Sequence, residues 1–165
     1  NWIIEEYSPE IQNWMDKYYA EDLKESIETI DTESLKNEIY EKVCKLIKFP
    51  ESITSDAVFN ALCAREKIMS TAVGNGIALP HASVPIIKEE EEQRVCVVYL
   101  KEPLDMNAPD EMKVHTMFVI LTQNRQTHLQ VLSRLVSLLR DTSFLKLLEN
   151  QANGVDLIEK IKELY

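Results

Sequence analysis

Between residues 77 and 121 the apolar pattern of this chain is that of strands, while on either side it is that of helices. Ile77-Ala78-Leu79, Arg94 to Leu100 and Val114 to Leu121 are short, β-branched, apolar runs bounded by turn residues. The last is apolar on both faces apart from His115 and Thr116, the pattern of a central strand. Upstream, Leu35, Ile39, Val43, Leu46 and Ile47 recur at helical spacing between Glu33 and Lys48, and Pro50 ends that helix. A second helix is expected over Ile53 to Lys67, with Val58, Ala61 and Leu62 facing inward. Downstream, Thr127-His128-Leu129-Gln130 has the form of a capping box, with Thr127 as N-cap. It opens a helix whose expected buried stripe is Leu129, Leu132, Leu135, Val136 and Leu139. Helical stretches near Thr142 to Asn150 and Val155 to Leu164 follow, separated by Asn153-Gly154. Helices, then strands, then helices make an α/β fold, a mixed β-sheet flanked by helices, although the strand order does not follow from the pattern.

The first residues stand apart. Ser8-Pro9 is a helix start, and Ile11, Trp14, Met15, Tyr18 and Tyr19 then fall on one face of a short amphipathic helix. Residues 1–21 are therefore expected to be this helix and a connection to an upstream region, and residues 22–165 the folded domain. The chain opens on Asn1 without Met and without a basic stretch, so it reads as a mature product or, in preference, an excised piece of a longer protein, and not as a signal peptide.

Composition narrows the function classes. Lys and Arg number 18 against 28 Asp and Glu, a net charge of −10 that is ill suited to gripping nucleic acid or an anionic membrane. No apolar run approaches the roughly eighteen residues that span a bilayer, so no membrane insertion is expected. Cys44, Cys63 and Cys96 are odd in number and lack CxxC spacing, which favours a reducing, cytoplasmic setting over a disulfide framework.

Three histidines carry the candidate chemistry. His81 follows Gly74-Asn75-Gly76-Ile77-Ala78-Leu79-Pro80, a tight turn and a short strand ended by a proline that fixes the backbone before the imidazole. A neutral imidazole placed so rigidly can attack phosphorus and carry a phosphoryl group. A hydrogen-bonded structural histidine is the alternative these residues leave open. His128 lies near an expected helix N-terminus, where the dipole disfavours imidazolium and first-turn N–H groups favour an anion. His115, on a strand beside Thr116, reads as structural. Arg65, at the end of the second helix, offers a planar fork of donors for phosphate oxygens, although an Arg there also simply complements the helix dipole.

Together, Arg65-Glu66, Ser70-Thr71 and Gly74-Asn75-Gly76-Ile77-Ala78-Leu79-Pro80-His81 resemble the signature of the type-2 EIIA domains (fructose, mannitol and nitrogen-regulatory) of the bacterial phosphoenolpyruvate-dependent phosphotransferase system. His128-Leu129-Gln130-Val131-Leu132-Ser133-Arg134-Leu135 resembles that family's second block, and the likeness covers about residues 22–165. Departures are Ala72, Ala82-Ser83-Val84-Pro85 and Met106.

The resemblance implies an α/β sandwich in which His81 accepts a phosphoryl group from the phosphocarrier protein HPr or its nitrogen-branch relative. It implies that His128 stabilises the phosphate, that Arg65 holds the phosphate or the site's geometry, and that no metal or organic cofactor is needed. Thr71, Gly74, Asn75 and Gly76 are expected to form the phosphate loop. Three roles fit such a domain. The first is regulatory, as a nitrogen-type protein or part of a transcriptional regulator, and the N-terminal helix favours it. The second is sugar transport, with phosphate passed to an EIIB domain; the third is a non-catalytic interaction module.

Overall fold

The computed structural model describes residues 3–6 and 32–164. In chain order the elements are β1 (Ile3–Glu6), α1 (Thr32–Leu46), α2 (Ser55–Ile68), β2 (Ala72–Gly74), β3 (Ile77–Ala78), β4 (Arg94–Leu104), β5 (Val114–Leu121), α3 (Arg125–Leu138), α4 (Thr142–Glu149) and α5 (Gly154–Leu164). The amphipathic helix expected over Ser8 to Tyr19 lies outside the described residues.

The five strands form one mixed sheet in the order β1-β4-β5-β3-β2. β4 and β5 pair antiparallel at its centre, with Val98 opposite Met117. β1 runs parallel to β4, β3 runs parallel to β5, and β2 returns antiparallel beside β3. Along Val95–Leu100 and Met117–Leu121 the side chains alternate between two cores. Cys96, Val98, Leu100, Met117, Val119 and Leu121 pack with Ile39, Val43, Val58 and Leu62 of α1 and α2. Val95, Val97, Tyr99, Phe118 and Ile120 pack on the other face with Val131, Leu135, Phe144, Leu148 and Leu157 of α3, α4 and α5. Helices thus cover both faces, which is why the strand sequences are continuously apolar and not alternating. The Tyr99 hydroxyl, buried in the second layer, donates to Ala152 O at 2.6 Å and ties the α4–α5 turn to the sheet.

The expected mixed sheet flanked by helices is present, and most elements match within a few residues. Two expectations need correction. α3 is capped by Asn124, whose Oδ1 accepts from Thr127 N at 2.8 Å, so Thr127 is inside the helix and is not its N-cap. The buried seam of α3 is Val131, Leu135 and Leu138, with Leu139 at its end, whereas Leu129 and Val136 are exposed. Apolar residues occupy both sides of this helix, and packing against the sheet selects one of them. β1 and the three-residue β2 carry no periodicity of their own and were not expected. β1 brings part of the 1–21 segment into the sheet. Cys44, Cys63 and Cys96 are free thiols in the first core, where burial and the neighbouring Cys63 push the Cys44 thiol up to about 12.

Candidate functional site

Topology brings Arg65, Thr71, His81 and His128 to one edge of the sheet. β3 continues extended past its last paired residue, and His81 bridges in parallel to Ile120 near the end of β5. Pro80 O accepts from Ile120 N at 2.9 Å, which fixes the backbone immediately before the imidazole. β5 then leads through Asn124 into α3, so His128 arrives at the same carboxyl-terminal edge as His81. This is the edge at which parallel strands followed by helices present their ligands. α2 ends there too, because β2 runs antiparallel to β3 and therefore starts where β3 ends.

The His81 imidazole is partly buried, and its Nδ1 lies 2.7 Å from Leu79 O. A carbonyl only accepts, so Nδ1 carries the proton and Nε2 keeps its lone pair. The His81 and His128 rings stand 4.7 Å apart, tilted by 45°. Burial, foremost, lowers the proton affinity of His81, and Arg65 adds to this; the Leu79 carbonyl and Glu66 act in the opposite sense. His128 is pushed down to about 4, first by burial, then by His81 and Arg65. Both rings are neutral at pH 7. Arg65 Nη1 donates to Met69 O at 2.6 Å, and its charge reaches both histidines.

Other expected residues fall elsewhere. The first-turn N–H groups of Thr127 and His128 are already taken by Asn124 Oδ1 and Asn124 O, so neither is available to a phosphate. Of the expected phosphate loop, only Thr71 joins the site, where its carbonyl accepts from Leu79 N at 3.0 Å. Gly74, Asn75 and Gly76 form the β2–β3 turn at the opposite end of β3. Four extended residues, five rises of about 16 Å in all, separate Gly76 from His81. The tight turn is present, and what approaches it is protein. Asn75 N donates to Asp110 Oδ2 at 2.8 Å, and Gly76 O accepts from His115 N at 2.8 Å. His115 itself, with Nδ1 2.7 Å from Thr116 Oγ1, supports this turn.

One residue was named only as a neighbour of Arg65: Glu66, whose buried carboxylate receives Tyr40 and Thr71. The spacing held a signal, since Val58, Leu62 and Glu66 share one face of α2 at four-residue intervals and all are buried.

The depressed His128 makes a prediction. An unfolded His128 binds its proton near 6.5 and the folded one near 4, so between these values the unfolded chain holds more protons. The contribution of His128 to stability is fully present above pH 6.5 and is lost as pH drops toward 4. His81 shifts in the same direction and contributes over the same side of pH 6.5. Thermal melts should show a declining Tm across this window, and His128→Ala should shallow the decline. An unaltered slope in that variant would show that His128 is not buried as described.

Among known proteins, the chain matches the family described as the phosphoenolpyruvate-dependent sugar phosphotransferase system, EIIA 2, over residues 23–164. It is 35% identical to a nitrogen regulatory protein of Klebsiella oxytoca, in an alignment covering 67% of this chain and 68% of that one. It is 31% identical to a nitrogen regulatory protein homolog of Haemophilus influenzae, covering 79% and 81%. The crystal structure of nitrogen regulatory protein IIA-Ntr from Neisseria meningitidis superposes with a TM-score of 0.63 at 28% identity, covering 76% of this chain and 85% of that one. A sheet that sets two neutral histidines and an arginine on one edge, in a chain whose sequence matches over nearly its whole described domain, makes this protein a member of the EIIA 2 family of the phosphoenolpyruvate-dependent sugar phosphotransferase system.

Proposed function

We propose that the chain is a regulatory phosphoryl carrier whose acceptor is Nε2 of His81. The observation that carries this reading is the hydrogen bond from Nδ1 to Leu79 O at 2.7 Å, which puts the proton on Nδ1 and leaves Nε2 with its lone pair. In the transfer, Nε2 forms a bond to phosphorus while the bond between phosphorus and the donor carrier breaks, its electron pair staying with the donor. The positive charge that develops on the His81 ring is met by the Leu79 carbonyl, and the charge on the phosphoryl oxygens by His128 and Arg65. The donor is HPr or its nitrogen-branch relative. Ile68, Met69, Val84 and Leu129, all exposed, follow the three site residues in sequence and give a docking carrier apolar surface. Similarity to nitrogen regulatory proteins favours regulation over sugar transport. Three buried free thiols suit a cytoplasmic setting, and among the described residues no helix is long and apolar enough to cross a membrane.

Intact mass after incubation with phosphoenolpyruvate, enzyme I and HPr tests the reading. One acid-labile phosphoryl group is expected. No gain with either HPr or the nitrogen-branch donor, on folded protein, would leave the interaction module instead. Onward transfer to an EIIB domain would move the assignment to sugar transport. His128→Ala should remain folded and take up phosphate about a hundredfold more slowly, as for loss of one donor to a developing oxyanion. Rapid-quench labelling measures this, and an unchanged rate would remove His128 from the site.

A further inference from the structure

Behind the histidine edge lies a buried polar cluster with no part in the transfer as described so far. The Glu66 carboxylate is 5% exposed and is surrounded by donors. Tyr40 Oη donates to its Oε2 at 3.0 Å, Thr71 Oγ1 to Oε2 at 2.6 Å, and Thr71 N reaches both oxygens at 3.2 Å. Lys36 Nζ, on a side chain equally withdrawn from solvent, stands 3.6 Å from Oε1 and balances the charge. Three elements therefore converge on one carboxylate: α1 through Lys36 and Tyr40, α2 through Glu66, and the start of β2 through Thr71.

From Thr71 the connection runs on to the acceptor. Thr71 O accepts from Leu79 N at 3.0 Å, and Leu79 O receives His81 Nδ1 at 2.7 Å. The carboxylate thus fixes Thr71, Thr71 fixes Leu79, and Leu79 decides which ring nitrogen of His81 is protonated. We propose that Glu66 is a positioning residue for phosphoryl transfer at His81, acting through Thr71 and Leu79 to hold the imidazole with Nδ1 protonated and Nε2 presented. This rests on the reading of His81 as the acceptor.

A carboxylate suits the position. Its neighbours, Tyr40 Oη, Thr71 Oγ1, Thr71 N and Lys36 Nζ, all donate, and a carboxylate offers acceptors alone. A glutamine would turn its own N–H groups toward at least one of them. The charge also reaches His81, where it opposes Arg65 and favours the positive ring that forms during transfer. Burial of a carboxylate costs stability that an apolar residue in its place would not. Its presence at this spot, one residue from Arg65 and three hydrogen-bonded steps from the nucleophile, is accounted for by the tautomer it maintains.

The test uses Glu66→Gln and, because that change leaves Lys36 buried beside an amide, the charge-balanced Lys36→Met/Glu66→Gln. Nitrogen-15 NMR of the unphosphorylated proteins reads the His81 tautomer and its titration, and rapid-quench labelling from phosphorylated HPr reads kcat and KM. The parent should hold the Nδ1–H tautomer. Both variants should show a mixture of tautomers, titrate His81 at lower pH, and transfer at least tenfold more slowly with KM for the carrier unchanged. The double variant should recover Tm but not the rate. A folded variant with the parent's tautomer and parent's kcat would overturn the proposal, whatever its Tm, by reducing the cluster to a structural tie. If instead the parent takes up no phosphate, the carrier reading fails, and the tautomer comparison still decides the role of Glu66.

Discussion

His81→Ala should take up no phosphate at all from phosphoenolpyruvate, enzyme I and HPr, while keeping the parent's circular dichroism and melting behaviour to within a few degrees. The expectation follows from the division of labour at the sheet edge. His128, the nearest other imidazole at 4.7 Å between ring centroids, faces the same space. Its ring, however, has no carbonyl on one nitrogen to stabilise positive charge as Leu79 O does for His81 at 2.7 Å. A pKa near 4 marks it as a poor base, and nucleophilicity toward phosphorus falls with basicity. His128 is therefore not expected to replace His81 as acceptor. Removal of the His81 ring leaves the strand pairing untouched, because the bridge to Ile120 and the bond from Ile120 N to Pro80 O are made by the backbone. Intact mass on the folded variant measures the result, and normal labelling would remove His81 from its role.

The largest stability effect belongs to a residue far from the chemistry. Gly76→Ala should destabilise the domain by about 2–4 kcal/mol, the sum of a strained backbone and an overpacked contact. Gly76 has φ +78°, and a Cβ there would stand 2.4 Å from Cδ2 and 2.5 Å from Nε2 of His115. The ring cannot swing aside without breaking its contact to Thr116 Oγ1 at 2.7 Å. Tm should fall by roughly 5–15 °C. His115→Ala in the Gly76→Ala background should recover the overpacking share and leave the backbone share. A Gly76→Ala melt within a degree of the parent would contradict the close packing of this turn.

Much of the fold could be read before its structure. Val114 to Leu121 announced a central strand because it is buried on both faces, and α1 and α2 followed from their four-residue apolar spacing. α3 was misread at its start, since Thr127 and Gln130 imitate a capping box while Asn124, also a good cap, lies three residues earlier and is the one used. Its buried face could not be chosen from Leu129, Val131, Leu132, Leu135, Val136 and Leu138 alone, because apolar residues lie on both sides and only the sheet distinguishes them.

The candidate site shows the same division. His81, His128 and Arg65 could be named from local context. Their meeting depends on the parallel pairing of β3 with β5, which no local pattern encodes. Turn chemistry at Gly74-Asn75-Gly76 was legible, and all three residues have positive φ. What they approach, Asp110 and His115, comes from distant segments. Lys36 and Glu66 were charges in apolar stripes of two helices, and their significance emerges only when the helices pack together.

The most direct test of the account is the position of phosphorus on the phosphorylated protein. Nitrogen-15-labelled chain, phosphorylated through HPr, should show one-bond coupling of phosphorus to Nε2 of His81, with Nδ1 still protonated against Leu79 O. Coupling to Nδ1 of His81, or to any nitrogen of His128, would contradict it.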